Sequence, residues 1–373
     1  MSKIKILQVI GSLHVGGAEN VAVNIYRYID REKFEFHYLV YTKPDDVGEY
    51  ESEVISLGGK VLHLEYTGNN KNFRKKLKNI IMDNGPYKIV HSHLMFHNGV
   101  ILKTAYECGI EKRISHAHST KDAIYEKCID KIIHALYRSF MRINIKKFGT
   151  DWLACGKEAG IYLYGRQKYN SDVVLIKNGI YLEKFEYNTI IRDNIRYKYG
   201  INSNAFVIGN AAHFIPLKNH EFIVDVFEAV NKKIPDSYLF LMGDGPLKSK
   251  IEEKVKKMNL DDKVIFTGVT NRVNEIMQAV DVFLLPSLYE GLPVSVVEAQ
   301  ATGLECIVSD KVTKEVNFGD LVHFLPIDKG IELWVEQLLE LRGYRRESGT
   351  ELVREHGYSA RENVKDIEGI YLN

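Results

Sequence analysis

Asp281-Val282-Phe283-Leu284-Leu285-Pro286-Ser287-Leu288-Tyr289-Glu290-Gly291-Leu292-Pro293-Val294-Ser295-Val296-Val297-Glu298-Ala299 contains a strand, a loop and a helix start in nineteen residues. The strand ends at Pro286, the loop holds Glu290 and Gly291, and a helix is expected from near Ser295. Seven residues separate Glu290 from Glu298, which places one carboxylate in the loop and the other in the first helical turn, aimed at the same crevice. Between them, the N–H groups of Leu292 and Val294 are free to meet a phosphate or sugar oxygen, whereas Pro293 has none to offer. A structural reading also exists, because Ser295-x-x-Glu298 has the form of a capping box. Two-carboxylate glycosidase chemistry is disfavoured, since it normally flanks one bond from opposite faces.

Working outward, the same strand-then-helix rhythm fills the chain, as in a parallel sheet covered by helices. Strands are expected at Ile4–Ile10, Phe36–Tyr41, Val61–Leu64, Ile89–His91, Arg113–Ser115, Trp152–Cys155 and Val173–Ile176. The rhythm restarts at Phe206–Asn210 and continues through Tyr238–Met242, Val264–Thr267, Val282–Leu285, Cys306–Ser309 and Val322–Leu325. The fold class is therefore α/β, with two doubly wound, Rossmann-like domains facing across a cleft. Their expected limits are residues 1–178 and 179–355, meeting at the turn dipeptide Asn178-Gly179. Residues 356–373 hold a short polar helix expected to cross back to the first domain. In such sheets ligands bind beyond the carboxyl ends of the strands.

Composition sets the outer bounds. The 373 residues include 45% apolar and 27% charged residues, as in a soluble globular protein of about two domains. No apolar run nears the ~20 residues that span a bilayer. The start, Met1-Ser2-Lys3-Ile4-Lys5, does not read as a signal peptide. Cys108, Cys128, Cys155 and Cys306 have neither metal nor disulfide spacing, which fits a reducing cytoplasm. The net charge of +1 hides an asymmetry. Residues 1–180 carry 27 Lys+Arg and 19 Asp+Glu, a balance of +8; the remainder carries 23 and 30, a balance of −7. Either the basic half faces an anionic surface or substrate, or the split is drift.

Three further features follow strands. The loop Gly11-Ser12-Leu13-His14-Val15-Gly16-Gly17-Ala18-Glu19 lets backbone N–H groups approach an anion at a helix start, or is simply a tight turn. It is neither a Walker A loop nor a dinucleotide fingerprint. Ile89-Val90-His91-Ser92-His93 and Ile114-Ser115-His116-Ala117-His118 each put two histidines on one side of a strand. With no acidic or cysteine ligand beside them, no metal is expected; one or two are read as polar contacts in the cleft. His118, one step past its strand, is placed to meet a substrate hydroxyl. Lys218 precedes a helix expected from Asn219, its plausible N-cap, through Val230. A cation there opposes the helix dipole by ~0.3–1 kcal/mol, which an anion between Lys218 and the helix end would relieve. The alternative is a solvated loop lysine.

Residues 131–148 hold Lys131, Arg138, Arg142, Lys146 and Lys147 with no acid. Arg138, Arg142 and Lys146 form one helical row, and Ile132, Leu136, Phe140 and Ile143 an apolar one. This reads either as a core-packing helix with a solvated basic face or as a membrane-surface element.

Assembled, these residues resemble the retaining GT-B glycosyltransferases of family 4, closest to the branch that builds capsular or exopolysaccharides. The resemblance runs through Gly16-Gly17-Ala18-Glu19, Val90-His91-Ser92-His93, His116-Ala117-His118-Ser119, Ala154-Cys155-Gly156-Lys157-Glu158-Ala159, Asn178-Gly179-Ile180, Gly243-Asp244-Gly245-Pro246 and Pro286 through Ala299. It implies that Glu298 binds the ribose hydroxyls of a nucleotide-sugar, and that Glu290 with Gly291, Leu292, Pro293 and Val294 meets the donor sugar. It further implies that Lys218 neutralises the diphosphate, that Gly16 and Gly17 lie against it, and that His118 contacts the transferred sugar. No metal or other cofactor is implied, since positive side chains and helix ends stabilise the leaving group.

One position departs from the pattern. Where the family has an arginine five residues before Lys218, this chain has His213. Arginine is always charged, whereas a histidine has an unperturbed pKa of ~6.5. Either Lys218 carries the diphosphate charge, or bound phosphate recruits a proton to His213, or activity is weakened. The function expected is transfer of a sugar, from a UDP-sugar, to a lipid-linked glycan in surface polysaccharide synthesis. Such an enzyme would sit in the cytoplasm against the inner face of the membrane, with no nucleic-acid partner. The alternatives are a catalytically silent nucleotide-binding subunit and a UDP-sugar epimerase.

Overall fold

The computed structural model describes residues 3–119 and 128–373; Met1 and Ser2, read above as part of the chain start, and the Lys131 side chain lie outside the described residues. Among the described residues thirteen strands form two wholly parallel sheets, each strand within two residues of its expected ends. In the first sheet they are β1 (Ile4–Ile10), β2 (Phe34–Val40), β3 (Lys60–His63), β4 (Ile89–Ser92), β5 (Lys112–Ala117), β6 (Asp151–Ala154) and β7 (Val173–Leu175), in the order β3-β2-β1-β4-β5-β6-β7. In the second they are β8 (Phe206–Ala211), β9 (Ser237–Met242), β10 (Val264–Gly268), β11 (Val282–Leu285), β12 (Glu305–Ser309) and β13 (Val322–Leu325), in the order β10-β9-β8-β11-β12-β13.

Helices cover both faces of each sheet, so successive strand residues enter different cores. Ile6, Phe36 and Tyr38 join one core of the first sheet, and Leu7, Val9 and Leu39 the other. All four residues of β11 are fully buried, each such side chain worth roughly 1.5–3 kcal/mol.

The chain divides into two compact units: residues up to Gly179 with Ala360–Asn373, and Ile180–Ser359. The first unit thus includes the C-terminal helix Ala360–Leu372, whose Val364, Ile367 and Tyr371 enter the core beside Ile6 and Phe36. Gly179 lies so close to this helix that a Cβ would stand 2.6 Å from the Ala360 nitrogen, and Asn24 donates to its carbonyl at 3.0 Å. A side chain at position 179 would therefore push the C-terminal helix off its seat.

Strand order reverses between β1 and β4 in the first sheet and between β8 and β11 in the second. These switch points open a crevice at the carboxyl ends of the strands. The glycine loop follows β1, the first histidine pair ends β4, Lys218 follows β8 and the Glu-x7-Glu loop follows β11.

The helix Cys128–Phe148 corrects one sequence reading. Its apolar row does not pack into the core: Leu136 is 68% exposed, Phe140 56% and Ile143 60%, with Ile132 and Ile133 beside them. Its Met141 and Ile145 are buried instead. Nor is the arginine row solvated. Arg142 donates from Nε to the Leu163 carbonyl at 3.0 Å and from its terminal nitrogen to that of Tyr162 at 2.8 Å, and Arg138 reaches the Tyr162 hydroxyl at 3.2 Å. The Arg142 guanidinium caps carbonyls at the end of the helix Lys157–Tyr164, and Arg138 holds the Tyr162 side chain beside it, a pull that periodicity alone does not reveal. Among the described residues no helix is long and apolar enough to cross a membrane.

Candidate active site

In the second unit, the loops after β8 and β11 are knitted together. Leu288 donates its N–H to the Leu217 carbonyl at 2.8 Å, and the Asn219 side chain donates to the Pro286 carbonyl at 3.4 Å. This joins Lys218 to Glu290, 72 residues apart, in a close ion pair whose side chains are 19% and 11% exposed. Ser287 Oγ donates to the same Glu290 oxygen at 2.9 Å. The anion that the sequence calls for beside Lys218 is thus, in this structure, the Glu290 carboxylate. A solvated loop lysine is ruled out.

The cap expected of Asn219 is absent. Asn219 does occupy the N-cap position of the helix His220–Lys233, but its left-handed backbone (φ 56°, ψ 45°) turns the side chain toward Pro286 and leaves the helix start without a side-chain cap. The capping box also fails. The helix begins at Val294 with Pro293 as N-cap, so Ser295 lies inside it and Glu298 falls in its second turn. The N–H groups of Leu292 and Val294 have no acceptor among the described residues. Gly291 is exposed, and a Cβ there would meet nothing within 4 Å. Pro293 is buried, holding this open turn in place.

Freed from capping, the Glu298 carboxyl has no hydrogen-bond or ion-pair partner among the described residues. Burial pushes its pKa up to about 8. A partly exposed acid with no partner of its own is an arrangement that a ligand's hydroxyl donors would satisfy.

His213 is exposed, its Nδ1 3.3 Å from the Asp244 carbonyl oxygen. A residue that sequence reasoning missed lies at the start of the helix His220–Lys233. His220 is buried and stacked on Phe214 at 4.1 Å between ring centres, and neither ring nitrogen has a partner. Burial first, and the Lys218 charge second, hold its pKa down to about 4.

In the first unit, Gly16 is the N-cap of the helix Gly17–Tyr28 and carries no side-chain cap. The Glu19 carboxylate folds back over the helix start, 2.3 Å from where a Gly16 Cβ would stand, and accepts from its own backbone N–H. Gly17 is exposed, and a Cβ there would meet nothing within 4 Å. The place the sequence assigns to a bound anion is therefore held by a carboxylate of the chain itself. His14 anchors the loop, with Nδ1 3.0 Å from Glu49 and Nε2 2.9 Å from Asp46.

The four histidines of β4 and β5 form a stacked cluster. His91 and His93 ring centres lie 4.3 Å apart, His116 and His118 4.1 Å, and His93 and His118 5.0 Å. Single nitrogens of His91, His93 and His116 lie within 4.8 Å of one another, the spacing of a metal site. His91 is bonded to the Tyr371 hydroxyl and to His116 Nδ1, and His93 to Gln8 and His118, which leaves only His116 Nε2 free among the three. Gln8 and Tyr371 are the partners that sequence reading missed; a glutamine inside the apolar run of β1 was the available signal.

Burial depresses every pKa in the cluster: His91 to about 3, His118 to about 4 with Asn178 acting the other way, and His93 and His116 well below the ordinary value. All four are neutral at pH 7. On unfolding they bind protons below pH ~6.5 that the folded form refuses, so the stability they allow is complete above that pH and is lost as pH falls toward 4. The melting temperature is expected to drop by at least about 5 °C between pH 7 and pH 5 in a thermal-unfolding series. A flat profile would mean that the cluster is solvated.

The structure of Anabaena HepE in complex with UDP and glucose superposes with a TM-score of 0.74 at 14% identity, covering 98% of this chain and 99% of that one. Two parallel-sheet Rossmann-like domains of this kind define the GT-B class of glycosyltransferase folds. Residues 191–323 match the family of glycosyl transferases group 1. The putative glycosyltransferase EpsF of Bacillus subtilis (strain 168) is 35% identical over 377 residues, covering 99% of this chain and 97% of that protein. An Escherichia coli UDP-Gal:alpha-D-GlcNAc-diphosphoundecaprenol alpha-1,3-galactosyltransferase is 27% identical over 321 residues, 83% of this chain and 80% of its own. The chain belongs to the group 1 glycosyltransferases.

Proposed function

We propose that this glycosyltransferase moves a sugar from a UDP-sugar to a glycan acceptor carried on a lipid diphosphate, with retention of anomeric configuration and without a metal. The observation that carries the donor reading is the meeting of Lys218 and Glu290 at the β8–β11 switch point, at the head of a segment whose Leu292 and Val294 N–H groups and Glu298 carboxyl have no partner among the described residues. Lys218 releases Glu290 and neutralises the diphosphate; Glu298 accepts from the ribose hydroxyls; Glu290 and the Gly291–Val294 turn take the sugar. In transfer, the bond from the anomeric carbon to the phosphate oxygen breaks and a bond to the acceptor oxygen forms. The acceptor's proton passes to the leaving diphosphate, whose charge Lys218 and the helix start stabilise. His213 adds to this charge only when protonated. Gly16, Gly17 and His118 are proposed as donor contacts on the resemblance alone.

A lipid-linked acceptor is supported by the acceptor in the Escherichia coli relative's name and by the exposed Ile132, Ile133, Leu136, Phe140 and Ile143 row with Lys146 and Lys147 beside it. We propose that this face rests on an anionic bilayer at the inner membrane surface, the apolar row entering the headgroup layer and each nearby lysine adding ~1 kcal/mol. The double variant Leu136→Glu/Phe140→Glu is expected to cut co-sedimentation with phosphatidylglycerol vesicles at least about tenfold. Unchanged sedimentation would remove the membrane from the proposal.

The donor reading is tested with a panel of nucleotide-sugars, scored for thermal stabilisation and for transfer to a polyprenyl-diphosphate-linked sugar. Stabilisation by UDP-sugars with acceptor-dependent turnover supports it. Stabilisation without turnover would favour a silent nucleotide-binding subunit, the reading that His213 at the arginine position invites. Turnover without any acceptor would point to an epimerase.

A further inference from the structure

The proposed role of His118 requires its ring to offer one particular hydrogen-bonding polarity, and the chain contains a device that sets it. Gln8 is fully buried in β1 and is bonded on both sides: its Oε1 lies 2.9 Å from His93 Nε2, and its Nε2 donates to the Tyr371 hydroxyl at 2.9 Å. A carboxamide oxygen only accepts, so the His93 proton is on Nε2 and its Nδ1 is an acceptor. His93 Nδ1 lies 2.7 Å from His118 Nε2, which must therefore donate. A neutral imidazole has one N–H, so His118 Nδ1 is left as a bare lone pair.

The atoms around that lone pair agree. His118 Nδ1 and Asn178 Oδ1 are both buried, and neither has a hydrogen-bond partner of good geometry among the described residues. The Asn178 side chain stands within hydrogen-bonding reach of His118 and, as an acceptor, works against the burial that lowers its pKa. With Nδ1 bare, the two face each other as acceptors and no bond joins them. A group bringing O–H donors would satisfy them.

The other side of Gln8 is governed by the same amide. Tyr371, accepting from Gln8, gives its proton to His91 Nδ1 at 2.7 Å; His91 Nε2 then donates to His116 Nδ1 at 3.3 Å, and His116 Nε2 keeps its proton. A half-turn of the one carboxamide would reverse every bond in both branches.

We propose that Gln8, acting through His93, is a positioning residue that fixes His118 as the Nε2–H tautomer and so makes His118 Nδ1 and Asn178 Oδ1 an acceptor pair for hydroxyl groups of the transferred sugar. This rests on the proposed glycosyl transfer. Gln8 and His93 do not themselves touch substrate, and the C-terminal helix takes part through Tyr371.

The test uses the full-length protein labelled with 15N-histidine, whose long-range 1H–15N spectra distinguish the two tautomers. His118 is expected as a single Nε2–H tautomer in the wild type and as a mixture in Gln8→Met, a substitution of similar volume. In that variant kcat should fall about 10- to 100-fold while the KM for the donor stays within about threefold. An Nδ1–H tautomer or a mixture in the wild type overturns the inference without recourse to any variant, as does a Gln8→Met protein with unchanged spectrum or kcat. UDP binding, measured alongside by calorimetry, separates the two levels: a protein that binds UDP but shows the wrong tautomer loses only this inference, and one that binds no UDP loses the proposed function.

Discussion

Lys218→Met is expected to lower kcat by about 100- to 1,000-fold, the loss that follows when a preorganised charge is removed from a developing anion. The size of the effect follows from how few cations the structure brings to this loop. Lys218 sits where the loop after β8 closes against the loop after β11, while His213 is exposed and lies against a backbone carbonyl. Removing Lys218 also strands the Glu290 carboxylate, which is nearly buried and keeps, among the described residues, only Ser287 as partner. Some stability should therefore be lost as well. Lys218→Met/Glu290→Gln separates the effects: it should recover the melting temperature and leave kcat low. Recovery of kcat together with stability would show that the pair is structural.

Glu298→Gln is expected to stabilise the protein and weaken nucleotide binding in one stroke. Because the folded pKa, about 8, lies above the ordinary carboxyl value of 4.5, the folded protein keeps a proton that the unfolded chain releases between those two values. Stability is therefore highest below pH 4.5 as far as this group is concerned, falls as pH rises, and levels off above 8. A glutamine has no proton to lose. The variant should melt about 5 °C above the wild type at pH 8 and alongside it at pH 5. UDP affinity should fall about 10- to 100-fold, the share of hydrogen bonds made to a charged group. Wild-type affinity should itself rise between pH 6 and 8, because hydroxyl donors bind the ionised form and expel the proton. A variant that melts like the wild type at pH 8 would mean that Glu298 is already ionised in the free protein.

The positions of strands, and the residues that follow them, were legible because a parallel sheet covered on both faces leaves a short apolar run for every strand. Lys218, Glu290 and His118 stood out because each follows such a run. What the sequence could not carry is the direction in which long side chains resolve competing demands. Arg142 turns inward to helix-end carbonyls and Arg138 to the Tyr162 hydroxyl, leaving Leu136 and Phe140 outside, although the two rows are equally regular. Asn219 has a capping side chain but a left-handed backbone, and Ser295 begins a capping-box pattern two residues too late for the helix that forms. Gln8 and Tyr371, 363 residues apart, meet only because the C-terminal helix seats on the first sheet, so no local pattern marks them as partners. The occupation of anion-ready positions by Glu19 and Glu290 is likewise a tertiary outcome.

The most direct measurement is the structure of the protein with UDP bound. The ribose hydroxyls should lie on the Glu298 carboxylate and a diphosphate oxygen within hydrogen-bond reach of Lys218 Nζ, with Glu290 displaced from the lysine. UDP bound elsewhere, with the Lys218–Glu290 pair intact and Glu298 untouched, would contradict the account.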